Sequence, residues 1–219
     1  MGPRAFIGVS LDSAHFSRVW VRYALDTLSA RYEDVMIVLA DDLLKFSRTA
    51  IPQRGSVVLD FEAAESYTVK RRQEVAQFFE SEILHLPVET RKSVRLGYWS
   101  LFADAKFNEL SRKLRIAYEA VACFRSAIDS VASAHGERQK SAGLDMKTLA
   151  NLNASYIIEE SAMCMRITEI EGYTDEYHPS DDLPVMPHLY AGAFADFGLT
   201  VQAVTGVQPR RNFSILRAP

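Results

Sequence analysis

The sequence predicts an α/β fold, a single domain whose mostly parallel sheet is flanked by helices, and three observations carry that expectation. Two short apolar runs, residues 5–9 and 35–40, have the length and β-branched content of buried strands. Between them, Phe16, Val19, Trp20, Tyr23 and Ala24 recur at three- and four-residue steps, which predicts a helix over about residues 15–32 with one apolar face. Strand, helix and strand in that order make the unit of a parallel sheet. A chain of 219 residues, 48% hydrophobic, buries one substantial core without dividing, so residues 1–219 are expected to form one domain.

The first strand empties at Gly8-Val9-Ser10 into a loop, where Asp12 or Ser13 is placed to cap the following helix. Ligand crevices in such sheets open at the carboxyl ends of strands, and Ser10 stands at that end of the first. Residues 51–55, Ile-Pro-Gln-Arg-Gly, have the composition of a turn, with a strand candidate at 56–59. A helix follows over about 63–84 and carries Lys70, Arg71 and Arg72. Residues 91–115 hold seven basic residues against Asp104 and Glu109, and a long helical region continues to Ala134, where His135-Gly136-Glu137 is expected to break it. The pattern predicts another helix over about 146–168. Prolines 179, 184 and 187 mark a loop, and residues 199–204 and 212–216 are late strand candidates.

Composition narrows the function classes. With a formal net charge of -3, a nucleic-acid partner must be met by a local basic patch and not by the overall field. The apolar runs are too short to span a bilayer, and the chain passes from Met1-Gly2-Pro3-Arg4 straight into a strand, which leaves no room for a signal peptide. The protein is therefore expected in the cytoplasm, without a membrane association. Cys123 and Cys164, 41 positions apart, read as buried thiols, and the five histidines show no paired ligand spacing, so no metal is expected.

Residues 8–12, Gly-Val-Ser-Leu-Asp, are not the G-x-S-x-G elbow of an α/β-hydrolase, since Asp12 replaces the second glycine. Neither a glycine-rich dinucleotide fingerprint nor a phosphate loop ending in Gly-Lys-Ser/Thr is present. An enzyme of this shape without a nucleotide grip receives its substrate already activated, and no cofactor is expected.

Three segments, in order, then carry a resemblance. They are Gly8-Val9-Ser10 at a strand end, Tyr156-x-x-x-Glu160 on a helix, and Tyr177-His178, with 146 and 21 residues between successive key positions. This set resembles the cyclodipeptide synthases. The resemblance implies a Rossmann-like domain similar to the catalytic domain of the class I tyrosyl- and tryptophanyl-tRNA synthetases, without their ATP signatures. It also implies an aminoacyltransferase that joins two aminoacyl groups, taken from two aminoacyl-tRNAs, into a 2,5-diketopiperazine.

By that resemblance Ser10 is the acyl-carrying nucleophile, and Tyr156 and Glu160 hold the substrate amino group. Glu160 also serves as general base, Tyr177 positions the acyl-enzyme and relays a proton, and His178 supports the transition state. Many members carry asparagine three residues after the nucleophile. This chain has Ser13 there, which places it in the branch lacking the asparagine and keeping Tyr-His. Phe6, Gly8, Met163 and Asp175 fall, by offset, where the family lines its first aminoacyl pocket. Ser13 is counted with that substrate-binding set.

The chemistry suits the residues. Side chains at i and i+4 lie one above the other, so Tyr156 and Glu160 can converge on one ammonium group, the carboxylate supplying the stronger, charge-assisted bond. An aminoacyl ester is already activated, so a serine hydroxyl needs no full triad. Two basic clusters are candidates for the acceptor stem of tRNA: Lys70, Arg71 and Arg72, or Arg91, Lys92 and Arg95. No DNA or obligate protein partner is inferred. The competing classes are a Rossmann-like serine acyltransferase or hydrolase acting on a small activated ester, and a non-catalytic tRNA-binding module.

Overall fold

A computed structural model describes residues 2–13, 15–43, 50–53, 56–139, 146–179, 185–209 and 212–216. The first expected unit is present. Strand β1 (Arg4–Val9) leads to helix α1 (Arg18–Ser29) and back to β2 (Asp34–Leu39), which pairs with β1 in parallel register, Arg4 opposite Asp34 and Val9 opposite Leu39. The helix starts later than its periodicity suggests. Ser17, not Asp12 or Ser13, is the cap, accepting a hydrogen bond from the Trp20 amide. The intervening residues form a loop instead, in which the Ser13 amide donates to the Ser10 carbonyl at 3.1 Å.

The sheet has five strands, all parallel, in the order β5-β2-β1-β6-β7. Strands β5 (Val94–Tyr98) and β6 (Asp175–His178) have no counterpart in the expectations drawn from the sequence. Each is short and carries charged residues. Edge strand β5 exposes Arg95, and β6 opens on Asp175-Glu176, so neither shows an apolar run. Strand β7 (Asn212–Ile215) lies where the sequence places it. Residues 51–53, expected in a turn, belong to β3 (Ala50–Gln53), which pairs antiparallel with β4 (Ser56–Leu59) in a separate ribbon. Pro52 is tolerated because a two-stranded ribbon is all edge. Arg54 and Gly55 lie outside the described residues.

Helix α2 (Phe61–Leu84) is capped by Asp60, and the single turn α3 (Val88–Arg91) precedes β5. Helices α4 (Ala105–Ala120), α5 (Ala122–Gln139) and α6 (Met146–Met165) follow, the last running into a π-turn at Arg166–Ile170. The break expected at 135–137 does not occur. Gly136 costs a helix about 1 kcal/mol relative to alanine, and packing of α5 along α6 outweighs that. Pro187 falls in the first turn of α7 (Val185–Tyr190), where its missing N–H has no helical partner to lose. Residues expected as a strand at 199–204 instead form α8 (Val201–Thr205), capped by Thr200, with Val201 and Val204 buried one turn apart.

Both sheet faces are covered, which is why β2 is apolar along nearly its whole length. On one face Ile7, Val9, Ile37 and Leu39 pack against Trp20, Val21, Leu25 and Phe79 from α1 and α2. On the other, Phe6, Met36 and Val38 pack against Leu114, Phe124, Ile157, Met163 and their neighbours from α4, α5 and α6. The chain crosses from edge strand β5 back to β6 beside β1, so the winding reverses between β1 and β6. A crevice opens at the carboxyl ends of strands at such a reversal. Among the described residues, no helix is long and apolar enough to cross a membrane.

Candidate active site

Ser10 follows the last residue of β1 at the point of reversal. Alternation along the strand puts Phe6, Gly8 and Ser10 toward the α4–α6 layer, and Ile7 and Val9 toward α1 and α2. Helix α6 crosses that same face. Both Ser10 and the charge of Glu160, one turn on, act on the phenol of Tyr156 on this helix, so the structure brings the three together. Burial first, and the Glu160 carboxylate next, push the Tyr156 phenol well above its ordinary value, while Ser10 acts in the opposite direction. Tyr156 is therefore a neutral hydroxyl at any working pH.

Cys164 continues the row at i+8 from Tyr156 and meets β6. The ligand atoms of Cys164, Glu176 and His178 lie within 4.8 Å of one another, all three residues buried. His178 Nε2 stands 2.5 Å from Glu176 Oε1, and the Glu176 side chain is wholly shielded from solvent. With Glu176 ionised, Nε2 carries the proton and donates. Two ligands each about 2.0–2.2 Å from a tetrahedral zinc lie ~3.4 Å apart. The closer Glu176–His178 contact is a hydrogen bond and does not have the spacing of a metal shell.

Sequence reasoning missed Glu176 and treated Cys164 only as packing. The signal was the alternation Glu176, His178 on one strand face, legible only once residues 175–178 are known to be a strand.

A Cβ at Gly8 would meet the His178 imidazole at 3.4 Å and the Phe6 ring at 4.0 Å, ordinary contact distances, so these two rings bound the space beside the glycine. Phe6 and Met163 are fully buried on the same face, Phe6 edge-on to Tyr173. Ser13 turns the loop, its Oγ accepting from the His15 amide.

Two expected site residues are not brought to Ser10. Tyr177 lies opposite Ile7 and points into the α1–α2 layer, where its hydroxyl and that of Tyr32 are 2.8 Å apart. Tyr32 precedes β2, at the amino end of the sheet, so the Tyr177 phenol faces away from Ser10. The adjacent-residue motif hides this, because neighbours on a strand face opposite sides. Asp175 pairs with Ala5 at the same amino end and accepts from Thr174 Oγ1. It does not line a pocket beside Ser10.

The two basic clusters part in the same way. Arg71 donates to the Leu11 carbonyl at 3.1 Å and pairs with Glu74 and, at 3.4 Å, Asp12, while Arg72 pairs with Asp41 just beyond β2. Both sit at the carboxyl end beside Ser10, with Lys70 exposed next to them. Arg91 donates to the Leu84 and Leu86 carbonyls, Lys92 pairs with Glu89, and Arg95 binds Asp34. Asp34 begins β2, so this second cluster stands at the opposite end of the sheet.

Comparison with solved structures supplies the fold's relatives. A cyclodipeptide synthase from Fluoribacter dumoffii superposes with a TM-score of 0.74 at 16% identity, covering 98% of this chain and 89% of that one. AlbC, a cyclodipeptide synthase from Streptomyces noursei, gives 0.70 at 14% identity, over 100% and 97% of the two chains. The chain has the cyclodipeptide synthase fold. A Mycobacterium tuberculosis protein, whose structure relates cyclodipeptide synthetases to type I tRNA synthetases, gives 0.70 at 20% identity over 100% of this chain and 87% of that one. No protein-family model matches the sequence, and no curated protein matches it.

Proposed function

We propose that this protein is a tRNA-dependent cyclodipeptide synthase working through an acyl-enzyme on Ser10, of the branch that has Ser13 in place of the asparagine. The observation that carries this reading is the position of Ser10 at the carboxyl end of the central strand, where the winding of the sheet reverses, with Tyr156 and Glu160 of α6 close to it. The relatives that share the fold support it.

In this reading the Ser10 hydroxyl attacks the ester carbonyl of the first aminoacyl-tRNA. Its proton passes to the departing ribose oxygen, and the aminoacyl group remains as a serine ester. Tyr156 and Glu160 hold the ammonium group. The amine of a second aminoacyl-tRNA then attacks that ester, Glu160 taking a proton, and Ser10 regains its own, giving a dipeptidyl-tRNA. The free amino group of the dipeptide attacks the remaining ester, which closes the ring and releases the second tRNA. His178, held by Glu176 beneath Gly8, stiffens the floor on which the ester forms. Arg71, Arg72 and Lys70 face the acceptor stem. The proton relay assigned to Tyr177 by resemblance has no place in this scheme.

Expression in a bacterial host followed by mass spectrometry of the medium tests the reading. A cyclic dipeptide is expected, and it disappears with Ser10→Ala. Intact-protein mass spectrometry shows one aminoacyl increment on the wild type and none on the variant. Absence of any cyclic dipeptide with a full set of charged tRNAs would sink the proposal, and ester hydrolysis without tRNA would favour a small-ester hydrolase.

A further inference from the structure

Ser10 has a second side. Opposite Tyr156, a cavity of about 210 Å³ opens between the loop after β1 and helix α2, and Ser10 is part of its wall. Arg71, Glu74, Val75, Phe78 and Phe79 reach it from α2 at steps that keep them on one helix face. Val9, Leu11, Ser13 and Phe16 close it from the loop side. Its lining is mixed: aliphatic and aromatic side chains stand beside the polar Ser10, Ser13, Glu74 and Arg71, and most of the surface it exposes is polar. Arg71 is held in place by the Leu11 carbonyl and by Glu74.

The geometry points to this cavity as the seat of the 3′-terminal adenosine of the aminoacyl-tRNA, an inference that rests on the synthase reading above. An aminoacyl ester has two arms at its carbonyl. One carries the ammonium group, which Tyr156 and Glu160 engage on the α6 side of Ser10. The other carries the ribose, which must therefore leave Ser10 on the far side, where the cavity lies.

The volume falls below the ~300–1,000 Å³ of pockets for drug-sized ligands, so it suits one ring system and not a stretch of strand. Phe16 and Phe78 line it, aromatic side chains of the kind on which unpaired bases stack. Glu74 and Ser13 supply polar atoms for ribose hydroxyls, and the Arg71 guanidinium stands at the rim for the last phosphate. A larger groove on the other side of α2, lined by Arg72, Gln73, Tyr98 and Ser100, does not include Ser10 and so cannot hold the reacting nucleoside.

The test compares two acyl donors carrying an amino acid found in the product: its charged tRNA, and its cyanomethyl ester, which has no nucleoside. Ser10 acylation is followed by intact-protein mass spectrometry. Phe78→Ala is expected to lower the rate from tRNA about 5- to 150-fold relative to the rate from the ester, the range lost when one stacking aromatic is removed. Phe78→Trp restores most of that ratio. Adenosine 5′-monophosphate is expected to slow transfer from tRNA in the wild type and to do so less in Phe78→Ala. An unchanged ratio, or equal losses from both donors, overturns the adenosine assignment while leaving the synthase reading intact. If neither donor acylates wild-type Ser10, both fall.

Discussion

Tyr156→Phe isolates the contact on which the functional reading turns. The substitution keeps the ring, which packs against the core of the α4–α6 layer, and removes only the hydroxyl that meets Ser10. Because burial and Glu160 hold the phenol protonated, the lost interaction is between two neutral hydroxyls. Such a bond contributes about 0.5–1.5 kcal/mol net, which corresponds to a rate loss of about 2- to 12-fold. Glu160→Gln replaces a charge-assisted bond of about 1.5–3 kcal/mol to the substrate ammonium, so its loss is expected at about 10- to 150-fold. The assay is single-turnover acylation of Ser10 by charged tRNA, followed by quenching and intact-protein mass spectrometry. Since Tyr156 does not titrate in the working range, the pH profile of acylation keeps its shape in Tyr156→Phe. Two results would refute the reasoning: a Tyr156→Phe rate equal to wild type, or a loss larger than that of Glu160→Gln.

Other perturbations follow from the same geometry. Charge reversal at Arg71 and Arg72 is expected to weaken use of aminoacyl-tRNA and flatten its salt dependence, whereas reversal at Arg91 and Lys92 leaves both nearly unchanged; KM against ionic strength separates them. Glu176→Gln turns a charge-assisted bond on His178 into a neutral one, a difference of about 1–2 kcal/mol, and is expected to lower kcat about 5- to 30-fold with little change in KM. Asp104 caps α4 and grips the buried Arg166 guanidinium, and these bonds, led by that from Arg166, hold its carboxyl well below its usual value. The contribution is fully present above the unfolded value near ~3.9 and is lost as pH falls through the lower folded one. Asp104→Ala removes the cap, costing about 0.5–2 kcal/mol and about 1–8 °C in Tm at neutral pH. The gap from wild type is expected to shrink in acid melts.

The sequence makes the central unit readable because β1, α1 and β2 obey simple periodicities, and β2 is apolar enough to need cover on both faces. It hides β5 and β6 because their structure comes from neighbours. Arg95 is stabilised in its strand by Asp34, and Glu176 is held in the interior against His178. That Ser10 ends a strand and that Tyr156 and Glu160 share a helix face was legible, because a strand end and an i, i+4 pair need no knowledge of long-range contacts to be placed. Tyr177 was not, since adjacency in sequence means opposite faces once the segment is a strand. Nor could spacing reveal the cavity at Phe16 and Phe78, whose residues lie more than sixty positions apart and meet only when α2 packs over the loop.

The two ends of the sheet divide structure from chemistry, and the charges show how. At the amino end Asp34 gathers Arg4, Arg95 and the Tyr173 hydroxyl, with Arg4 stacked 4.0 Å over the Tyr173 ring, and Tyr32 meets Tyr177 nearby. These groups satisfy one another across β1, β2, β5 and the turn before β6, so they fix the strands and offer little to a ligand. At the carboxyl end the polar groups instead border space: Ser10 stands between Tyr156, with Glu160, on one side and a cavity on the other. A serine with a tyrosine–carboxylate pair on one side and open space on the other suits the proposed ester, whose two halves must part in opposite directions. That is why the strand-end serine, common as such residues are, can be read here as an acyl carrier.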